Sequence, residues 1–135
     1  MQKGKKNIDY ILKNLNPRLN PDDYIFTIVN SLDSIDINEI LAYIRESEGI
    51  SLIMKKSVAD FLQVPYFGVW SWITLDVHSS LDAVGLTSVV SNAFSEIGLS
   101  CNIVAGYHHD HIFIQKEMAE KAMNTLAILS SKKGI

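Results

Sequence analysis

The sequence predicts an α+β fold in which antiparallel strands carry helices packed on one face. Two observations predict it. Residues 70–114 read as a strand, a polar turn leading to a glycine, a helix with one apolar face, a second strand, a tight turn and a third strand. Residues 24–77 follow a similar order with shorter helices. The two halves therefore look like divergent copies of a split βαβ plan. The division is expected at 1–68 and 69–135, because 65–68 is a connection rich in turn residues.

The elements follow from spacing and punctuation. Ile8, Ile11, Leu12 and Leu15 recur at helical intervals behind Asn7, a candidate cap. Asn16-Pro17 and Asn20-Pro21 then stop the helix. Tyr24 to Val29 is β-branched and aromatic, which predicts a strand. Residues 31–36 are loop-like. A short helix over 38–41 and a strand over 42–46 are expected next. Glu48-Gly49 makes a turn into a strand over 50–55. Ser57 is placed to cap a short helix whose buried face is Val58, Phe61 and Leu62.

The second half is more regular. Ile73, Leu75 and Val77 alternate with Trp72, Thr74, Asp76 and His78, so the two sets point to opposite faces of a strand. Leu86, Val89, Val90, Ala93, Phe94 and Ile97 make one apolar helical stripe. Thr87 is the expected cap. Gly98 stands where a left-handed terminator belongs. Residues 101–107 and 111–114 flank a tight turn and predict a hairpin. Met118, Ala122, Leu126 and Leu129 give a last helical face, and 130–135 is a polar tail expected to be loose.

Composition removes several function classes. In 135 residues, 47% are hydrophobic and the net charge is −3, so a core forms readily and no basic stripe invites nucleic acid. No apolar run reaches the roughly 18 residues of a membrane span, so no membrane partner is expected. No apolar stretch follows the charged first residues, so no signal peptide is expected. Cys101 is the single cysteine and has no internal disulfide partner, which suits a reducing cytoplasm.

A family resemblance rests on Val84-Gly85-Leu86, the helix ending Glu96-Ile97-Gly98, and Asn102-Ile103. This pattern resembles the ACT domain, which shows a Pro-Gly-Leu turn, an amphipathic helix and Gly-Ile-Asn-Ile. Valine stands here for the proline, and Ser100 and Cys101 are extra. The chain resembles small stand-alone proteins with tandem ACT modules, akin to the regulatory half of aspartate kinases. Residues 46–49, 78–86 and 108–111 add to the likeness. It covers roughly residues 15–130 and is densest over 72–114, while the first module departs from the pattern. The resemblance implies ferredoxin-like modules, pairing of modules, and binding of amino acids or related metabolites between them.

The turn over 79–86 is the candidate ligand site. Free backbone N–H groups at a helix N-terminus favour an anion such as an α-carboxylate. Gly85 lets a ligand approach the backbone. Ser79 and Ser80 can add donors, and Asp76, Asp82 or the Asn102 carbonyl can receive an ammonium group. The expected set is Asp76, His78, Ser79, Ser80, Asp82, Val84, Gly85, Leu86 and Asn102. The plainer alternative is that the serines and Asp82 cap the helix and Gly85 only bends the chain.

His108, His109, Asp110 and His111 invite a metal, but zinc needs three or four converging ligands. His109 and His111 share a strand face, whereas His108 and Asp110 point away. They are weak candidates, a polar turn is the competing reading, a pH-responsive turn is another because His titrates at about pH 6.5, and no metal or other cofactor is expected. Trp70 and Trp72 need cover, from the chain itself or from a second subunit.

Catalysis finds no candidate set. His78 and Ser79 are strand neighbours that point apart. Cys101 has apolar neighbours and reads as an inert thiol. No phosphate loop or zinc-protease motif is present. The expected protein is a cytoplasmic, homodimeric, non-enzymatic regulator that binds a small amino-acid-like metabolite. The alternative is a protein-interaction or assembly module without a small-molecule ligand.

Overall fold

A computed structural model describes residues 12–76 and 85–132. In chain order its strands are β1 (Pro17–Leu19), β2 (Tyr24–Val29), β3 (Ile40–Glu46), β4 (Gly49–Lys55), β5 (Trp70–Leu75), β6 (Asn102–Ala105) and β7 (Asp110–Gln115). Its helices are α1 (Lys56–Leu62), α2 (Leu86–Glu96) and α3 (Ala119–Lys132). The order is that of antiparallel α+β modules. Contacts gather the described residues into two units, 21–71 and a discontinuous one of 12–20 with 72–132. Residues 12–20 pack with the later segment.

In the first unit the strand order is β3-β4-β2, all antiparallel. Ile25 faces Met54 across the β2–β4 ladder. With Ile50, Leu52 and Ala59 of α1 they make a small core. The β3–β4 turn needs Gly49, whose φ is +153° and whose added Cβ would lie 2.9 Å from the Val29 carbonyl oxygen. The helix expected at 38–41 is instead a single 3-10 turn at Ile37–Glu39, with the Asp36 carboxylate accepting from the Asn38 N–H. Strand β3 starts at Ile40, earlier than expected, and a bulge shifts its register before Ala42.

Helix α1 also departs from expectation. Lys55, not Ser57, occupies the cap position, and no side chain caps it. Phe61 lies outside the core at 86% exposure, and Ala59 takes the buried position. The chain leaves the helix at Gln63, in the left-handed conformation.

In the second unit β5 lies between β1 and β7, and β6 pairs with β7. Ile73, Leu75, Ile112 and Ile114 point to one side and meet Leu86, Val90 and Phe94 of α2, and Ala122 and Leu126 of α3. Leu15 closes this core at 0% exposure. The α2 stripe is thus real, and its fully buried members are Leu86, Val90 and Phe94. Its cap differs from expectation. Gly85 is the N-cap in a left-handed conformation, and Thr87 is exposed inside the helix.

The far end of α2 behaves as expected. Gly98 has φ +72°, its N–H reaches the Ser95 carbonyl, and the Leu99 N–H reaches the Phe94 carbonyl at 2.9 Å, a complete Schellman closure. The polar tail is shorter than expected, because α3 runs to Lys132 and carries Ser130 and Ser131 within it. Strand β1 was not expected at all. Its Pro17 is the first strand residue, a place where the missing N–H costs no ladder bond.

Candidate functional site

The face of β5 opposite the helices carries Trp72, Thr74 and, just past its end, Asp76. Antiparallel pairing sets Arg18 of β1 opposite Thr74. Partners share a face, so Arg18 joins this polar row. Its guanidinium grips Asp76 with Nε to Oδ2 at 3.0 Å and Nη2 to Oδ1 at 3.1 Å. The pair is 55% and 36% exposed, so it reads as an accessible ion pair at the strand end. The Arg18 hydrogen bond holds the Asp76 carboxyl below its usual range, opposed by slight burial and aided by the Arg18 charge.

Behind this pair the row turns inward. Arg18 Nη1 donates to Asn20 Oδ1 at 2.6 Å. Asn20 Nδ2 donates to Thr74 Oγ1 at 2.9 Å and to the Trp72 carbonyl at 3.1 Å. Asn20 and Thr74 are buried, so each of these bonds satisfies a group that water cannot reach. His111 of β7 completes the row. Its Nδ1 accepts from Trp72 Nε1 at 3.1 Å and lies 3.4 Å from Thr74 Oγ1. Indole is a donor only, so the bond fixes the Nε2-protonated tautomer of neutral His111. Trp72 also stacks on Phe113 at 6.5 Å, so its own unit covers it. In the first unit Trp70 meets Phe26 edge-on at 5.4 Å.

The sequence-derived set divides unevenly. His78, Ser79, Ser80, Asp82 and Val84 lie outside the described residues. Gly85 and Leu86 open α2, whose first turn has no acidic side chain, and the Gly85 carbonyl accepts the first helical bond from Val89. The Leu86 side chain is buried in the core at 3% exposure, so only its main chain faces outward chemistry. Asn102 is exposed, opens β6 and pairs with Phe113. Arg18 and Asn20 were not foreseen. The signal was the alternation of Pro17 and Leu19 with Arg18 and Asn20, hidden between two prolines.

The histidine turn does not gather ligands. Among the described residues no group of three His, Cys, Asp or Glu side chains is arranged to hold a metal ion. His111 spends its Nδ1 on Trp72 instead. Burial pushes the Asp110 carboxyl up and the Cys101 thiol up to about 11, which leaves that thiol unreactive near neutral pH.

Comparisons with known proteins follow this geometry. Residues 3–71 match one ACT-domain family model and residues 70–127 match a second. Among solved structures, a Vibrio cholerae protein of unknown function, described as a possible transport protein, is 37% identical. It covers 93% of this chain and 97% of its own, with a TM-score of 0.82. An Agrobacterium tumefaciens protein is 17% identical over 84% of this chain and 87% of its own, with a TM-score of 0.70. The ligand-free regulatory subunit of aspartate kinase from Thermus thermophilus is 11% identical over 86% of this chain and 97% of its own, with a TM-score of 0.62. No curated protein matches the chain. Among the described residues no helix is long and apolar enough to cross a membrane.

Proposed function

The chain belongs to the ACT-domain family, and from that premise we propose that it is a non-enzymatic regulatory protein that binds a small amino-acid-like metabolite. The two modules of this reading are 1–68 and 69–135. The observation that carries it is the accessible Arg18–Asp76 pair at the end of β5. A zwitterion offers a carboxylate to Arg18 and an ammonium to Asp76, and such a ligand replaces one ion pair by two. The bend into α2 adds main-chain donors at Gly85 and Leu86 for the carboxylate. His78, Ser79, Ser80, Asp82, Val84 and Asn102 complete the proposed set.

Regulation then follows from linkage. The ligand binds one arrangement of a cytoplasmic homodimer better than another and shifts its population. A partner enzyme reads the shift, as the aspartate kinase relative suggests. The rival reading, a protein-interaction module, is favoured by one feature of the first unit. Phe26, Ile28, Pro65 and Phe67 line an apolar groove of about 330 Å³, and Phe67 is 95% exposed.

A thermal-shift panel of amino acids and related acids separates the two. A ligand at 100 times its dissociation constant stabilises by about 2.7 kcal/mol. For a chain of this size the melting point should rise by roughly 10 °C. A panel in which nothing moves the melting point contradicts the sensor reading.

A further inference from the structure

We propose that His111 is a proton-sensitive positioning residue: protonation breaks its bond with Trp72 and releases the side-chain relay that sets Arg18 beside Asp76.

Trp72 Nε1–H can only donate, and Nδ1 of His111 accepts it at 3.1 Å. An imidazolium has no lone pair left at Nδ1, so protonation brings two N–H groups head to head. The ring has little room to turn away. A Cβ built on Gly106 would lie 3.0 Å from His111 Nε2 and 3.2 Å from Cδ2, so the ring already packs on that backbone. On another side the Trp72 ring stands 5.7 Å from it, tilted by 49°. Relief must come from Trp72 or from Thr74.

Thr74 is where the disturbance leaves the pair. Its hydroxyl lies 3.4 Å from Nδ1 and accepts from Asn20 Nδ2 at 2.9 Å. Asn20 Oδ1 in turn accepts from Arg18 Nη1 at 2.6 Å, and Arg18 holds Asp76. Consecutive groups in this series touch through hydrogen-bonding atoms, with the Trp72 carbonyl a second acceptor for the Asn20 amide. A reversal at His111 is therefore felt at the ion pair two strands away.

The surroundings decide the pH window. Asp110 on the same strand and Asp76 beyond β5 favour the imidazolium. Burial, His109 and Arg18 oppose it and prevail, with burial the largest, so His111 titrates below its ordinary 6.5. With the folded value depressed, the stability carried by the neutral ring is complete above 6.5 and is lost as pH falls through the folded value. The relay uses only protein groups and operates whether or not a metabolite binds.

The test is a proton–nitrogen NMR titration of the full chain from about pH 7.5 to about pH 5, across the histidine range. The Trp72 indole resonance is assigned with Trp72→Phe. It should shift with one midpoint below 6.5, and the Arg18 Nε–H resonance should follow the same midpoint. In His111→Asn an amide oxygen takes the place of Nδ1, and both resonances should stay flat. An unmoving indole in the parent protein, an Arg18 signal that ignores it, or an unchanged midpoint in His111→Asn overturns the proposal. If His111→Asn does not fold, the ring nitrogens of His111 in the parent decide: a midpoint shared with the indole supports the relay, and a different one refutes it.

Discussion

The two units treat the side of their strands away from the helices in opposite ways. In the unit of residues 12–20 and 72–132 that side is closed by directional bonds among Arg18, Asn20, Thr74, Trp72 and His111. In the unit of residues 21–71 it is apolar and partly open. Phe26 and Ile28 of β2 share it with Ile44 of β3, and Ile28 and Ile44 are 49% and 59% exposed. That unit also carries exposed polar contacts, among them Ser51 to Glu46 on the same face and the cluster of Lys56, Asp60 and Tyr66. Buried polar groups demand particular partners, whereas apolar surface accepts any complementary surface. The first arrangement suits recognition of a small polar ligand, and the second suits contact with something larger.

The largest contrast lies in the aromatic side chains. Phe94 of α2 is fully buried, so Phe94→Ala should cost about 3–5 kcal/mol. Phe61 is mostly exposed, and Phe61→Ala should stay within about 0.5 kcal/mol. Urea unfolding of both variants checks the pair, and equal losses would erase the distinction between the units.

A matched pair of threonines sharpens it. Thr74→Val leaves the buried Asn20 amide without one of its two acceptors and should cost about 1–3 kcal/mol. The Thr27 hydroxyl donates to the Pro65 carbonyl at an exposed site, and Thr27→Val should be within about 0.5 kcal/mol of the parent. A smaller loss is expected from the α2 terminus. Gly98→Ala meets no atom within 4 Å but places a Cβ at positive φ, for about 1–2 kcal/mol in a thermal melt.

The smallest effects are electrostatic. Asp76 and Asp60 both titrate below the usual carboxylate value, Asp76 chiefly through Arg18 and Asp60 chiefly through the Tyr66 hydroxyl. Each contributes stability that is present above the unfolded carboxylate value and lost as pH falls through the lowered one. Arg18→Gln should raise the Asp76 titration, and Tyr66→Phe that of Asp60, read by carboxyl carbon NMR. Both sites are exposed, so the melting point should barely change in either variant.

The sequence made the second unit legible because its physics is local. The alternation of Ile73 and Leu75, the α2 stripe and the Gly98 terminator are each set by neighbours within a turn or a strand. The first unit was harder. A bulge before Ala42 breaks the alternation of β3, and the helix of its split βαβ plan shrinks to one 3-10 turn. Phe61 was expected to be buried because an apolar residue at helical spacing reads as core, but the short α1 buries only Ala59 fully. Of the candidate site, Asp76 and Gly85 were visible from the strand–turn–helix order. Arg18 was not, because its partner is 58 residues away and its strand is three residues long between prolines.

The central claim is that a metabolite engages the polar end of β5 rather than the apolar face of the first unit. An NMR titration of the backbone amides with the best stabilising amino acid from the panel tests this most directly. Shifts should concentrate at Arg18, Asp76, Gly85 and Leu86, with Phe26, Ile28 and Phe67 unmoved. Shifts confined to residues 21–71, or none at saturating ligand, would contradict it.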